Sequence, residues 1–392
     1  MAQLYFSKLF SELSKVIPIT MDEISKQKKE LFDKTVFEDY LTWDSPTIST
    51  LFEELIGEYN ITVAAPTIDE DSAEPIVGTR GLKTMKERML THAINRPLPA
   101  KIYRKILELM DSKVISTPQL LNELIKTLIG EAQDVVNGVN AKLDAIFLEA
   151  ISNEGVFNFT SSNNPEGITG TIDYGMPSGN KATSSTAWTK ANISTVDCFG
   201  DIQDILDASQ DKVTFDKILI APRTLSYLCR TTQVHKAIWG DDAQSRIVTP
   251  QMVNQYMESN GFPIFVPVRR QVGIQQAAGG VKNITPFNAS RLVFLPKTSD
   301  GKIGTVKNAW ADAELNPEPD VTYGNYGRIL VSQWTTGESK NEKSVMHTKA
   351  TSTSLPVISS IEGIYSLDTQ LDLSDTSTET STETSTETST EE

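Results

Sequence analysis

The longest regular pattern in the chain is helical and runs from Thr117 to about Asn153. Its apolar residues recur at steps of three and four, which places them in one stripe along a helix. Thr117 is a suitable N-cap, Pro118 occupies the tolerated first helical position, and Gly155 follows the end. At 1.5 Å per residue such a helix is roughly 50 Å long, which exceeds the width of a small domain. A rod of this length indicates a protein that builds something larger than itself.

The first 60 residues predict an N-terminal arm made of amphipathic helices. Helical spacing of apolar residues covers 3–16 and 20–41, and Leu51–Tyr59 predicts a further short helix. Charged residues interrupt the apolar positions of the first segment, so we interpret it as a structural helix rather than a secretory signal. We therefore expect synthesis in the cytosol, and no pattern indicates a propeptide.

Residues 61–101 predict a long, hairpin-like excursion. Apolar and polar residues alternate around Ile61–Ala65, an acidic cluster follows at Asp69–Asp71, and prolines occupy positions 66, 75, 97 and 99. The segment has few apolar residues from which to build a core of its own. Because a long segment of this kind is unusual inside a compact domain, we expect it to pack on a neighbouring copy of the chain.

A polar stretch at Thr160–Thr195 separates the long helix from a region of alternating helices and strands. In that region the pattern predicts helices at Val196–Ser209, Arg223–Ile238 and Gln251–Asn260, and strands at Phe215–Ile220, Pro263–Pro267, Ile284–Phe287 and Arg291–Leu295. Beyond it we predict strands at Gly304–Leu315, Ile329–Trp334 and Ser344–Thr353, a shorter apolar run at Leu355–Tyr365, and a loop at Pro317–Pro319. This order indicates an α+β fold with a small sheet flanked by helices.

The last 17 residues repeat Thr-Ser-Thr-Glu four times and end in one more Glu. Because these residues include no apolar side chain, burial cannot offset the entropy of ordering them, and we predict a disordered tail over 371–392. A solubilising or spacer segment is one interpretation of the repeat, and a display or glycosylation surface is the other.

Composition excludes some classes of protein. The chain has 392 residues, 39% of them hydrophobic and 22% charged, so it can form two or three domains with a sizeable core. No apolar run is long enough to span a membrane. The net charge is −15, and the five glutamates of the repeat account for a third of it. This balance argues against general attraction to nucleic acid or anionic lipid, and against sequence-specific DNA binding.

The cysteines and histidines do not form an enzyme or metal signature. Cys198 and Cys229 are too few for a disulfide framework, and we interpret them as small, semi-buried hydrophobes. His92, His235 and His347 each lack a second ligand at the spacing of a zinc site.

One constellation resembles a cysteine hydrolase, with Cys229 as nucleophile, His235 as base and Asp241-Asp242 as the orienting group. The predicted helix Arg223–Ile238 holds the cysteine and the histidine six residues apart, on opposite faces. Because the sulfur then does not meet the imidazole, we predict no catalytic residues.

No cofactor, phosphate or metal site is predicted either. Gly279-Gly280 and Gly301–Gly304 lack the spacing of a phosphate or dinucleotide loop and are interpreted as strand turns. The acidic residues of the excursion lack the glycine and the terminal glutamate of a calcium loop, so a solvated loop is favoured. These acidic residues are Asp69, Glu70, Asp71 and Glu74. No partner is recognisable for Glu166, Asp173 or the Asp241-Asp242 pair.

An alternating charged stretch on the excursion leaves two interpretations open. It consists of Arg80, Lys83, Lys86, Glu87 and Arg88. The stretch is either a solvated face or a set of charges that docks onto acidic surfaces of an adjacent subunit, where it would set register and specificity.

Three stretches of sequence occur together in one known family. The first is AAPTIDEDSAEPIVGTRG, the second is DKILIAPRTLSYLCRTTQVHKAI, and the third is SQWTTGESKNEKSVMHTKATSTSLPVIS, with Trp-Thr-Thr-Gly at 334–337. With these stretches in the same order, the chain resembles the lambda-type major capsid proteins of tailed bacteriophages, the capsid protein E family. Over most of residues 40–368 the resemblance implies a fold of the Hong Kong 97 type.

The resemblance also implies a division into parts. These are an N-terminal arm (1–60), an extended loop (61–101), a peripheral domain (102–195) with a spine helix (117–154), an axial domain (196–304) and returning peripheral strands (305–370). The Pro317–Asn325 loop would meet neighbouring subunits at three-fold points. One branch of the fold crosslinks a loop lysine to an asparagine. Lys83 or Lys86 could be drawn in that role, but no local signature supplies the other groups, so we predict no crosslink.

The function implied by the resemblance is structural. Copies of the chain would associate as hexamers and pentamers in an icosahedral shell that encloses double-stranded DNA without sequence-specific binding. Scaffold and portal proteins, and decoration proteins where present, would be its partners, with no cofactor and no membrane. The shell would assemble in the host cytoplasm and belong to the virion. An encapsulin-like nanocompartment shell is the alternative with the same fold.

Overall fold

One long helix and two larger sheets organise the part of the chain that the computed structural model describes, which is residues 35–56, 83–98, 117–165, 167–240, 246–276, 279–336 and 345–372. Its helices are α1 (Phe37–Tyr40), α2 (Thr117–Ser152), α3 (Cys198–Ser209), α4 (Pro222–Leu228), α5 (Thr232–Trp239), α6 (Pro250–Ser259) and α7 (Asp312–Leu315). Its first strands are β1 (Leu41–Trp43), β2 (Leu51–Ile56), β3 (Lys83–Arg88), β4 (Leu90–Leu98), β5 (Val156–Phe159), β6 (Gly170–Asp173), β7 (Lys181–Thr183), β8 (Phe215–Ile220) and β9 (Ile264–Pro267). The others are β10 (Val272–Gln275), β11 (Val281–Ile284), β12 (Arg291–Pro296), β13 (Gly304–Ala309), β14 (Thr322–Tyr326), β15 (Ile329–Thr336), β16 (Val345–Val357) and β17 (Tyr365–Asp368).

The helix α2 confirms the long amphipathic pattern, with 36 residues and a length of about 54 Å at 1.5 Å per residue. Its middle part packs Val135, Val136 and Val139 against β4, β15 and β16. Residues 143–151 enter a core that contains side chains from both larger sheets. At Gly138 an added Cβ would lie 3.0 Å from Ile94 Cδ1, so the helix and β4 are in close contact.

The first larger sheet has six strands centred on β16, the longest strand of the described residues. β16 pairs antiparallel with β15 through residues 345–351, with β4 through 346–354 and with β13 through 353–357. β14 continues the sheet beyond β15, and β1 pairs in parallel with β13 at the other edge. The sheet therefore combines strands from before and after the long helix.

The second larger sheet has five strands in the order β7-β17-β12-β8-β9. β8 and β9 are parallel, whereas β12 is antiparallel to both β8 and β17. Side chains of α3 to α6 pack on this sheet in a second core, which includes Trp188, Ile202, Leu228, Val253 and Phe294. The mixed region of the sequence is thus a small sheet flanked by helices, as predicted.

Several local predictions were correct within two residues: the helices at 196–209 and 251–260, and the strands at 215–220 and 291–295. Others were wrong. Leu51–Tyr59 was predicted as a helix, yet Leu51–Ile56 is a strand because it pairs along its whole length with Lys83–Arg88. In 20–41, the described residues are helical only over Phe37–Tyr40, and Leu41 begins a strand.

The predicted helix Arg223–Ile238 is two helices, α4 and α5. The break is at Thr231, whose extended backbone (φ −68°, ψ 144°) begins the second helix and whose hydroxyl donates to Leu228 O at 2.9 Å. The strand predicted at Ile284–Phe287 is instead Val281–Ile284, paired with β10, which sequence reasoning missed.

Two C-terminal predictions also need correction. The strand predicted at Gly304–Leu315 ends at Ala309, and α7 follows it. The strand β14 (Thr322–Tyr326) begins inside the loop assigned to Pro317–Asn325 and ends one residue beyond it. The last strand, β17, lies in the five-stranded sheet with β7.

Candidate assembly surfaces

The described part of the N-terminal arm crosses the long helix and then joins the six-stranded sheet. Phe37 is fully buried, and Tyr40 stacks on Phe147 of α2 with ring centroids 5.9 Å apart. Further along, the Asp44 carboxylate lies 2.8 Å from Lys307 Nζ of β13, and the hydrogen bond to this lysine lowers the pKa of Asp44. The arm is therefore held by both a helix and a sheet edge.

A buried carboxylate of α2 holds the start of this segment. Asp144 is 0% exposed, and its Oδ1 accepts hydrogen bonds from the backbone N–H groups of Val36 and Phe37 at 2.8 and 2.9 Å. Its Oδ2 lies 2.8 Å from Nε of Arg270. Burial raises the pKa of Asp144 to about 6, against the opposing effect of the hydrogen bonds and the arginine. Asp144 thus joins the arm, the long helix and the segment between β9 and β10.

The strands β2 and β3 form an antiparallel stem that pairs Leu51 with Arg88 at one end and Ile56 with Lys83 at the other. Residues 57–82 lie between these strands in the chain, so this part of the predicted excursion begins and ends at the stem. β4 follows β3 after one residue and pairs with β16 at nine positions. The excursion was predicted to run to residue 101 with little core of its own, but its last part, β4, belongs to the six-stranded sheet.

Exposed apolar side chains occur where the arm leaves the six-stranded sheet. Thr47 forms a bridge with Ala309, and its carbonyl accepts a hydrogen bond from the backbone N–H of Trp310 at 2.9 Å. We define the arm-base patch as Ile48, Leu51, Trp310 and Leu315, which are 78, 69, 40 and 53% exposed. The Thr47–Ala309 bridge brings the segments that carry Ile48 and Trp310 together, and exposed large apolar side chains that lie near one another are typical of protein–protein contact surfaces.

Four charged side chains connect the end of the long helix to the five-stranded sheet. Arg291 of β12 lies 2.7 Å from Glu154 and 3.1 Å from Asp368 of β17, and Lys181 of β7 lies 3.2 Å from Glu154. These side chains are only 17 to 32% exposed, so solvent and salt screen the attraction between them less than they screen an ion pair on the surface. The network holds β7 and β17 beside the helix end.

The surroundings of Cys229 and His235 argue against a cysteine hydrolase with a thiolate nucleophile. Cys229 and His235 lie on either side of the break between α4 and α5, not on one helix as predicted, and both line the same cavity. His235 Nε2 is 2.9 Å from the backbone carbonyl oxygen of Cys229. Burial raises the pKa of the Cys229 thiol, which favours the less reactive form. Asp241-Asp242 lies outside the described residues.

The other histidines and Cys198 have structural surroundings. His92 is buried with Nε2 3.1 Å from Ser354 O, and burial lowers its pKa to about 4. His347 stacks on Trp334 with ring centroids 5.1 Å apart. Cys198 is fully buried in the second core, which raises its pKa. Within the described ranges, no three His, Cys, Asp or Glu side chains are grouped so that they could hold a metal ion.

The remaining sequence candidates are turns or lie outside the described residues. Gly279 and Gly280 have φ of 90° and 84° in the turn between β10 and β11, Gly301 has φ of 71° before β13, and Asp173 accepts from Gly175 N at 2.8 Å. Outside the description lie Asp69, Glu70, Asp71, Glu74, Arg80, Glu166 and the Thr-Ser-Thr-Glu repeat. Lys83 and Lys86 occur in β3, where only the backbone is described. None of the helices in the described part of the chain has the length and apolar character that crossing a bilayer requires.

Comparison with known families gives one match that covers most of the chain. The family model described as "Phage major capsid protein E" matches residues 64–369. This range includes the long helix and the strands β3 to β17, while α1, β1 and β2 precede it. Among curated proteins, none matches the chain by sequence.

Solved structures with a similar fold include proteins of phages and prophages and a virus-like particle from Pyrococcus furiosus. A prophage protein of E. coli CFT073, described as a capsid protein, is 11% identical and aligns over 90% of this chain and 98% of its own with a TM-score of 0.56. A phage-related protein of Bordetella bronchiseptica RB50 is 11% identical, with coverages of 90% and 96% and a TM-score of 0.43. A chain of Gordonia phage Cozz is 12% identical, with coverages of 89% and 90% and a TM-score of 0.41.

Proposed function

The chain belongs to the phage major capsid protein E family, and from this premise we propose that its copies associate through the arm, the stem and the arm-base patch into an icosahedral shell around double-stranded DNA. The resemblance found in the sequence is thereby confirmed, together with the α+β capsid fold. The protein is a structural component of the virion, a phage major capsid protein.

The observation that carries the proposal is the position of the arm-base patch beside the stem. Leu51 belongs both to the patch and to the first pair of the stem, with Arg88. Removing apolar surface from water contributes roughly 25 cal/mol of favourable free energy per Å². A second copy that covers this patch would meet the excursion at its base, which supports an assembly role for both features.

We propose the parts implied by the sequence with two changes of boundaries. The arm and the spine helix keep their ranges, and the extended loop ends before β4, since Leu90–Leu98 pairs with β16. The axial part gains residues 181–183 and 365–368, since β7 and β17 pair beside β12. Scaffold and portal proteins are the partners in this proposal. DNA is enclosed without sequence-specific contacts, which the net charge of −15 supports.

The test is assembly of the purified recombinant protein, alone and with its scaffold, followed by electron microscopy. We expect shells, tubes or capsomers. Replacing Ile48 and Leu315 by serine should prevent assembly without unfolding the chain, because both side chains are exposed. Ile168→Ser is the matched control, as Ile168 is 55% exposed and lies in the β5–β6 turn, outside the residues that define the patch.

A wild-type protein that stays monomeric under all these conditions would contradict the shell proposal. Normal assembly of the double-serine variant would instead contradict the role of the patch alone. Genes neighbouring the coding sequence separate a phage head from an encapsulin-like compartment: terminase and portal genes accompany the first, and a cargo-enzyme gene the second.

A further inference from the structure

A cavity of about 470 Å³ lies at one edge of the five-stranded sheet. Its lining includes Pro222, which follows the end of β8, and Pro267, the last residue of β9. Because β12 is antiparallel to both β8 and β17, the strands β8, β9 and β17 all end at this edge. The cavity therefore shares its edge with the point where the chain leaves the sheet after β17.

The lining of the cavity combines apolar walls with three arginines. Leu225, Val248 and the prolines form the apolar part. Arg230, Arg246 and Arg269 are all exposed, and none of the described lining residues is acidic. Within the described residues none of these three arginines forms an ion pair, although the chain carries a net charge of −15.

One of the arginines is held in place from beside the cavity. The Arg246 guanidinium lies over the ring of Trp239 at 4.9 Å from its centroid, a cation–π contact that limits its motion. A concave, partly apolar setting with three arginines, one of them held by a cation–π contact, suits a carboxylate carried by a chain with small methyl groups. A DNA duplex fits this cavity less well, because the phosphates of a duplex lie on a convex surface whereas the arginines line a concave one.

The chain itself contains a segment of that chemistry. Leu371 packs against the core of the same sheet, and the 20 residues after Asp372 contain six carboxylates and no basic residue. Their threonines supply methyl groups. Since β17 and β8 are separated only by β12, the two strands are about 10 Å apart, a distance that three or four extended residues cover.

We propose that the cavity is the docking site for the glutamate-bearing C-terminal segment of the same chain. Its carboxylates pair with Arg230, Arg246 and Arg269, and its threonine methyls contact the apolar walls. The proposal gives the repeat a binding site on its own chain, which neither the solubilising nor the display interpretation does. The inference does not depend on shell assembly.

The test uses the full chain in two forms: wild type, and a variant with all five repeat glutamates replaced by glutamine. A fluorescent peptide with three Thr-Ser-Thr-Glu units is titrated with each, and binding is followed by anisotropy. We expect the peptide to bind the glutamine variant, and to bind the wild type at least about ten-fold more weakly because the wild-type segment competes at high effective concentration. Binding should weaken as salt is raised. A Thr-Ser-Thr-Gln peptide is the control and should not bind.

A second pair of variants locates the site. Arg246→Gln with Arg269→Gln, made in the glutamine-tail background, should reduce peptide binding about ten-fold or more. Arg223→Gln is the matched control, because Arg223 is an exposed arginine next to Pro222 that does not line the cavity. Equal loss in both variants, equal binding to wild-type and glutamine-tail chains, or arginine-dependent binding of a short DNA duplex in place of the peptide would each overturn the proposal.

Discussion

Replacing Asp144 by alanine is expected to destabilise the fold and to release the arm from the long helix. The carboxylate accepts two backbone hydrogen bonds from the arm, at Val36 and Phe37, and is paired with Arg270. Alanine leaves the two backbone N–H groups in a buried place without this acceptor and takes the carboxylate away from the arginine. The substitution therefore weakens the contact between the arm and the long helix.

The size of the effect follows from the burial of the pair. Removing one member of a buried ion pair costs roughly 3–5 kcal/mol, and a hydrogen bond to a charged group contributes roughly 1.5–3 kcal/mol. Desolvation opposes this, since burial disfavours the carboxylate enough to raise the pKa of Asp144 to about 6. We therefore expect the lower part of the range, a loss of about 3 kcal/mol in the free energy of unfolding.

Urea unfolding followed by circular dichroism measures this loss, and limited proteolysis measures release of the arm through faster cleavage near residues 36–43. The matched control is Asp134→Ala. Asp134 lies on the same helix and pairs with Arg96, but the two side chains are 53% and 46% exposed, so at most about 1 kcal/mol is expected. If both variants lost the same stability and the arm were cleaved no faster in the Asp144 variant, the reasoning would be refuted.

Four further outcomes are expected. Because burial raises the pKa of Asp144 to about 6, the folded state binds more protons than the unfolded state between pH about 4 and 6. The free energy of unfolding should therefore fall as pH rises through this window, and Asp144→Ala should remove that fall. Urea unfolding at several pH values measures both. His92 acts in the opposite sense: burial lowers its pKa from 6.5 to about 4, so stability should rise with pH between these values, and His92→Gln should remove that rise in the same titration. Arg291→Ala loses pairs with two carboxylates and should lower the free energy of unfolding by about 2 kcal/mol, measured in urea. Gly304→Ala should destabilise by roughly 1–3 kcal/mol, because an added Cβ would overlap a backbone oxygen of β16, whereas Gly324→Ala, with open space around it, should leave the melting temperature nearly unchanged.

The sequence predicted elements whose stability comes from their own local pattern. The helix at 117–152 has a continuous apolar stripe with start and stop signals, and Phe215–Ile220 is a short apolar run before a proline. Leu51–Ile56 is different, because its partner strand begins at Lys83 and a short apolar run fits a helix or a strand equally well. The break at Thr231 likewise depends on a contact with distant chain, where Thr232 N donates to Ile193 O at 3.1 Å.

The assembly surfaces were predictable only in part. Asp144 carries a sequence signal, since it is a charged residue inside the apolar stripe of the long helix, next to Leu143 and Ala145. Its acceptor role is not predictable, because its partners are backbone groups 107 and 108 residues away. The three cavity arginines are spread over residues 230–269, and only the common edge of β8 and β9 brings them together.

The buried connections limit where a shell subunit can adapt to unlike neighbours. In a shell of hexamers and pentamers, identical chains must meet their neighbours at more than one angle. Asp144 links the arm to the long helix, and Arg291 links β12 and β17 to the end of the same helix, through groups that are largely buried. Losing either connection costs about 2–3 kcal/mol, whereas contacts made by exposed side chains are exchanged at smaller cost. We therefore expect differences between subunit environments to be accommodated at the arm-base patch and the excursion, and the joint between the two sheets to stay the same throughout the shell.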